Sequence, residues 1–476
     1  MSAAPAAAPR VVAYERRRAG VPAAETGRSW QRRLAGSRWT WTTAALLAAY
    51  VAIAWWLYGE LTAARPAADG AVIPGLNADA LWASAKAAAP TLAVFTVLFL
   101  AADRYRPQRA LMWGLALGWG GLAAVALSYV LNNWAGSQLA VYDMAPGLAS
   151  ARIAIFIAPF VEEAAKATVL FLIAFLDRGR LTSRVSGVVL AGLSAVGFAF
   201  TENILYFARI LVYGSYTYGA DVQAAFDQTV FMRGVVTCFG HPLFTIMTGI
   251  GLVIGVRHRS KTVRVAAPLA GYLGAALLHM LFNTAASLVS DGTALAFAYF
   301  GLALPLVFVM VFKTIRYALS QSALIRERLT DYVLMGWLPA TYPLLFCRAR
   351  TRAWALCMSP WHGNLLATVR LQRAVTELAY LRDAVTAGTV DHGGAWREHE
   401  LIGRIRALRS QGAIENPRGL RPYFWRRIAE KIGYRGVVPG AGGQKARHGK
   451  SPRSGQVSSG GPVSRTAVDP RWGPPA

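Results

Sequence analysis

Apolar runs long enough to cross a bilayer, about 17–25 residues each, recur along the first two thirds of the chain. They fall near residues 39–58, 87–102, 110–131, 153–176, 185–208, 235–256, 265–290 and 294–313, the second being the shortest. The segments between them alternate in charge. Arg104, Arg106 and Arg109 follow the second run, Arg178, Arg180 and Arg184 the fourth, and Arg257, Arg259, Lys261 and Arg264 the sixth. The intervening loops hold few basic residues and include Asp69, Asp79, Asp143, Asp221, Asp227 and Asp291. Because basic loops stay in the cytoplasm, this alternation predicts eight spans with both termini cytoplasmic. The expected fold is therefore all-α, a polytopic transmembrane helix bundle over residues 38–313. The first run follows eight arginines and exceeds the 7–15 residues of a signal-peptide core, so it is expected to be an uncleaved signal anchor.

Beyond Lys313 the pattern changes. Residues 314–436 hold Arg-rich, moderately apolar segments, with Leu371, Val375, Leu378 and Val385 recurring at helical spacing. This predicts a small cytoplasmic helical region, or helices lying on the membrane surface. The basic tails 1–37 and 437–476 lack the apolar content to fold and are expected to be disordered.

Composition agrees with a membrane protein: 55% of residues are hydrophobic and only 16% charged. Lys and Arg outnumber Asp and Glu by 50 to 24. On a soluble protein that excess would point to nucleic acid, but here it collects between spans and in the tails. Topology and attraction to anionic lipid headgroups account for it, and no nucleic-acid partner is expected. The three cysteines, Cys238, Cys347 and Cys357, form neither a disulfide framework nor a zinc motif.

Four spans carry groups that are costly in hydrocarbon. The fourth has Glu162, Glu163 and Lys166, the fifth Glu202 and Asn203, the sixth His241, the seventh His279 and Asn283. At roughly 2.5–3.5 kcal/mol each, six unpaired ionisable groups would cost on the order of 10 kcal/mol or more. At 1.5 Å rise per residue, Glu162 lies about 13 Å below the outer end of its span, Glu202 and His241 about 9 Å, and His279 about 16 Å. Helices running in alternating directions thus bring these groups to one layer in the outer half of the membrane. Lys166 can reach either glutamate at helical spacing. His279 and Asn283 share a face, as do His241 and Thr245, and Phe198 and Glu202. Pro159 and Pro242 loosen the turns beside the glutamates and His241. A glutamate that takes a proton from water, with histidine and asparagine donors facing a developing oxyanion, makes a hydrolase.

At these residues the sequence resembles a known family. EExxK (Glu162 to Lys166), FxxxEN (Phe198 to Asn203), GHxxFT around His241 and HxxxN (His279 to Asn283), in that order on successive spans, look like the PrsW intramembrane proteases. That family is related to the CAAX prenyl endopeptidases and Abi proteins. The resemblance covers roughly residues 90–312. It implies cleavage of single-span membrane proteins, such as anti-sigma factors, on the outer side of the plasma membrane by a glutamate-activated water without a metal. It makes Glu162 the first choice of base, with Glu163 paired to Lys166 or sharing the role. His241, His279 and Asn283 would position water and stabilise the oxyanion, and Glu202 and Asn203 would orient a histidine or the water.

Competing readings stand beside this one. Glu162, Glu163 and Lys166 can form a structural ion pair; Asn203 and Thr245 can serve as helix-to-helix hydrogen-bond partners. Two histidines with glutamates are also ligands that zinc takes, although no HExxH is present: His399 and Glu400 are followed by Leu401, Ile402 and Gly403. Neither a GxGD aspartate pair nor a GxSxG serine elbow occurs in a span. The same buried Glu, His and Lys could instead build a proton-coupled transporter or a silent scaffold.

Overall fold

The computed structural model describes residues 38–66, 72–105, 110–140, 151–177, 183–258, 260–288, 299–386 and 393–415, with the single residues 36, 108 and 181. The tails expected to be disordered, and most of the basic loop residues after the second and fourth spans, lie outside them. Two units divide the chain at residues 319 and 320.

The first unit is helical apart from one short hairpin. Helix α1 (Arg38–Thr62) leads into strands β1 (Arg65–Pro66) and β2 (Val72–Ile73), paired antiparallel with Arg65 opposite Ile73. Helix α2 (Ala78–Ala102) follows, capped by the Asn77 side chain, which accepts from the Ala80 amide at 2.8 Å. It starts nine residues before the expected span at 87. Asp79 and Lys86 lower the local hydropathy, but the alanines around them are strong helix formers. Helix α3 (Ala110–Gly118) continues through a π-helical segment, Trp119–Ala124, into α4 (Val125–Ala140). A second π segment, Ile153–Ile157, opens α5 (Ala158–Asp177), and α6 (Arg184–Tyr218) follows a Ser183–Ser186 capping box. Helix α7 (Val222–Phe231) runs into a third π segment, Met232–Val236, before α8 (Gly240–Arg257) and α9 (Lys261–Leu288). A fourth, Tyr299–Ala303, opens α10 (Leu304–Leu334), which outruns the expected span end at 313 by 21 residues.

Among the described residues seven helical stretches are long and apolar enough to cross a membrane. The remaining expected span, the fourth (153–176), is also a continuous helix, and its three charged residues, Glu162, Glu163 and Lys166, set it apart from those seven. The protein is a multi-pass membrane protein.

Helix α6 sits at the centre. In its most apolar window 72% of residues are buried, against 6% for α1, so α6 faces protein and α1 faces lipid. Small residues allow this. A Cβ added to Gly187 on α6 would lie 2.4 Å from the Gly249 carbonyl oxygen on α8, and the reverse distance is also 2.4 Å. Such close backbone approach is how helices associate in a membrane, where apolar area gives little net drive. Side chains add ties: Ser194 Oγ donates to the Lys166 carbonyl at 2.9 Å and Thr201 Oγ1 to that of Gly121 at 2.6 Å. Gly249→Val should therefore lower the unfolding free energy in detergent by about 1–3 kcal/mol through overpacking. Chemical denaturation of the purified variant checks this, and an unchanged midpoint would contradict the packing.

The second unit includes the last turns of α10 and the helices α11 (Tyr342–Cys347), α12 (Ala349–Met358), α13 (Leu365–Thr386) and α14 (Gly393–Ser410). The apolar stripe expected on α13 is buried at Leu371, Val375 and Leu378. Two arginines are buried with it. Arg352 donates to Thr376 Oγ1 at 2.9 Å, and Arg382 pairs with Asp331 at 3.3 Å.

Candidate active site

Helices α5, α6, α8 and α9 bring together every side chain singled out on the four spans. Glu162, Glu163 and Lys166 lie on one face of α5 at spacings of three and four, turned towards α6, α8 and α9. Glu163 and Lys166 are fully buried. Lys166 Nζ is 2.6 Å from Glu163 Oε1 but 3.8 Å from Glu162 Oε2, so it is hydrogen-bonded to Glu163 and makes only a looser ion pair with Glu162. The other Glu163 oxygen accepts from Thr245 Oγ1 at 2.7 Å, and its Oε1 also meets His279 Nδ1 at 3.2 Å.

His241 sits between two charges. Its Nδ1 is 3.0 Å from Lys166 Nζ and its Nε2 is 2.7 Å from Glu202 Oε2. An ammonium has only hydrogens to give, so Nδ1 is the acceptor and Nε2–H donates to Glu202. Glu202 accepts at the same oxygen from Arg233 at 2.7 Å, and Arg233 Nε donates to Asn203 Oδ1 at 2.8 Å. The result is one continuous chain of hydrogen bonds, Arg233–Glu202–His241–Lys166–Glu163–His279. Aromatic rings close it in: Lys166 Nζ lies 4.2 Å from the centre of the Phe198 ring, and Phe244 stacks on His279 at 4.9 Å.

Glu162 stands beside this chain and outside it. Its Oε2 is buried with no hydrogen-bond partner, 4.0 Å from His279 Nε2. It borders a cavity of about 280 Å³ that Glu202, Arg233, His241, His279 and Asn283 also line. Asn283 gives one amide hydrogen to the Ala154 carbonyl at 2.8 Å. That carbonyl lies in the second π segment, where a wide turn shifts the backbone bonding: the Ala158 amide reaches back to Ile153.

One participant escapes a search for polar residues in spans. Arg233 lies in the third π segment, just ahead of the apolar run expected at 235–256. Its signal was an isolated basic residue on the side where the charge rule leaves few. Thr245, one turn from His241 on the same face, is the partner of Glu163, a helix-to-helix hydrogen bond of the kind expected of it.

Residues 106–312 match the family model described as "PrsW family intramembrane metalloprotease". Over this stretch the membrane unit is similar to the PrsW family. The match supports an intramembrane peptidase, and it ends before the second unit begins. No curated protein and no solved structure matches the chain.

The PrsW description implies a metal. Glu162, His241 and His279 each bring one potential ligand atom, all within 4.8 Å of one another. Glu162 Oε2 is free, and His279 Nε2 has its lone pair free when Nδ1–H donates to Glu163, the orienting arrangement that metal-bound histidines use. His241 does not fit. Its Nε2 carries the proton given to Glu202, and its Nδ1 lone pair faces an ammonium at 3.0 Å. Two free ligand atoms are one short of the three protein ligands that hold a catalytic zinc.

Proposed function

We propose that this PrsW-like protein hydrolyses a peptide bond of a membrane protein near the outer face of the membrane, with Glu162 as the base that activates water. One observation carries the proposal. In a cluster whose other ionised groups are all hydrogen-bonded, Glu162 lines the cavity and its Oε2 has no partner, so it is the carboxylate with a lone pair to spare for a water's proton.

The remaining residues take roles around it. His279, held through Nδ1 by Glu163, offers Nε2 as the second acceptor for a water that Glu162 deprotonates. The water oxygen attacks the scissile carbonyl, Glu162 holds the proton, and the same proton passes to the departing amine. Asn283 keeps its second amide hydrogen for the oxyanion after bonding Ala154. Lys166 supplies positive charge beside the developing negative one. Glu163, Glu202 and Asn203 hold His279, His241 and Arg233 in place.

The outer-half position, the plasma membrane and cytoplasmic termini rest on the loop-charge alternation. A single-span substrate of the anti-sigma-factor kind rests on the family resemblance, and anionic lipid contacts rest on the basic loops. The hydrogen-bonded chain from Arg233 to His279 would also suit a proton path in a non-proteolytic transporter. Comparing new N-termini in membrane proteins of cells expressing the natural chain or Glu162→Gln separates the two. Fragments that vanish in the Glu162→Gln cells support the protease; identical fragment sets overturn it.

The occupied lone pair of His241 favours a mechanism without metal. Cleavage by the purified protein should survive EDTA and 1,10-phenanthroline with less than about a twofold change in rate, since no transition-state interaction is removed. Abolition by chelator, with recovery on adding zinc, would place an ion at Glu162, His241 and His279.

A further inference from the structure

Arg233 lies outside the four motifs, yet it ends the hydrogen-bonded chain and carries the only described guanidinium bordering the cavity. We propose that Arg233 is a positioning residue: by clamping Glu202 it fixes the His241 ring as an Nε2–H donor and thereby keeps Lys166 away from Glu162. The proposal rests on the proteolytic function above for its catalytic consequence, though not for its structural one.

The geometry runs through each link. Arg233 is seated from two sides of α6, by Glu202 at 2.7 Å and Asn203 at 2.8 Å, and its guanidinium lies 3.8 Å from the centre of the Tyr206 ring. The backbone beneath it is pinned as well, because Thr91 Oγ1 of α2 donates to the Gly234 carbonyl at 2.8 Å. Glu202 Oε2 thus receives two charge-strength bonds at one oxygen, from Arg233 and from His241. A carboxylate held in this way selects which imidazole nitrogen carries the proton, as the third member of a catalytic triad does. With Nε2 protonated, Nδ1 is left to accept from Lys166. Lys166 is then shared between His241 and Glu163 and stays 3.8 Å from Glu162. If Glu202 is released the ring is free to turn, Lys166 loses one of its two acceptors, and Glu162 is the nearest replacement. A direct hydrogen bond there, in place of the present 3.8 Å ion pair, would remove the free lone pair that the base requires.

Two measurements test this. The first needs no substrate. Nitrogen NMR of histidine-labelled protein in nanodiscs, with the His241 signals assigned by their loss in His241→Gln among the seven histidines, should show Nε2 protonated and Nδ1 bare in the natural chain. Arg233→Gln should give a mixture of tautomers, and Arg233→Lys, which keeps a cation beside Glu202, should restore the single form. The second is kinetic, on a single-span polypeptide found by the fragment comparison. Arg233→Gln should lower kcat about 100-fold, the scale of a misplaced catalytic group, with KM within twofold, and should add nothing to the loss caused by Glu202→Gln. An unchanged His241 tautomer in Arg233→Gln, a change confined to KM, or losses that add in the double variant would each overturn the proposal. If Arg233→Gln does not fold, the proposal stands on Arg233→Lys, which must keep the natural tautomer. Inactivity of the natural chain on every polypeptide would count against the protease alone, because the tautomer is read without turnover.

Discussion

Glu162→Gln should lower kcat by about 10²–10⁴-fold, the range that a positioned general base supplies, without loss of stability. The two effects separate because Glu162 takes no part in the hydrogen-bonded chain: its Oε2 has no partner and Lys166 is 3.8 Å away. Glutamine keeps the shape and loses only the ability to take a proton. The neighbouring change, Glu163→Gln, should behave differently. Glu163 accepts from Lys166, Thr245 and His279, so its neutralisation damages folding and activity together. Rates and thermal unfolding of both variants, measured side by side, distinguish them. If Glu162→Gln cuts at the natural rate, Glu162 is not the base.

Lys166→Met should destabilise the protein by about 3–5 kcal/mol, the usual cost of removing one partner from a buried ion pair. Lys166 and Glu163 are both fully shielded, so methionine leaves a carboxylate in the interior with its hydrogen-bond donors but no counter-charge. The double variant Glu163→Gln/Lys166→Met removes both charges and should recover most of that loss. Detergent-solution unfolding of the single and double variants checks it. Equal destabilisation in both would show that Lys166 acts through packing against Phe198 and not as a counter-ion.

Much of the arrangement is legible in the sequence because hydrocarbon is intolerant. A glutamate within an apolar run has few structural excuses, and rise per residue alone carries Glu162, Glu202, His241 and His279 to a common depth. What escapes is set by groups whose local signal is weak. Arg233 sits at the edge of a run, where a hydropathy average absorbs it. The first turns of α2 contain Asp79 and Lys86, which hide a helix that alanine propensity and the Asn77 cap establish. The π segments depend on contacts across the bundle, such as Asn283 with the Ala154 carbonyl, and no periodicity in the chain announces them. In the second unit the stripe on α13 shows Leu371, Val375 and Leu378, but the burial of Arg382 between aromatic and acidic neighbours follows only from tertiary pairing.

The placement of Lys166 one helical turn from both glutamates bears on biogenesis. Helix α5 is synthesised before His241, which lies 75 residues after Lys166, so the first counter-charge available to its glutamates is its own lysine. An internal ammonium lets the two acids travel as a locally compensated triplet. The counter-ion that finally serves the assembled pocket thus first acts as an escort, making insertion of the most polar segment independent of the helices still to be synthesised.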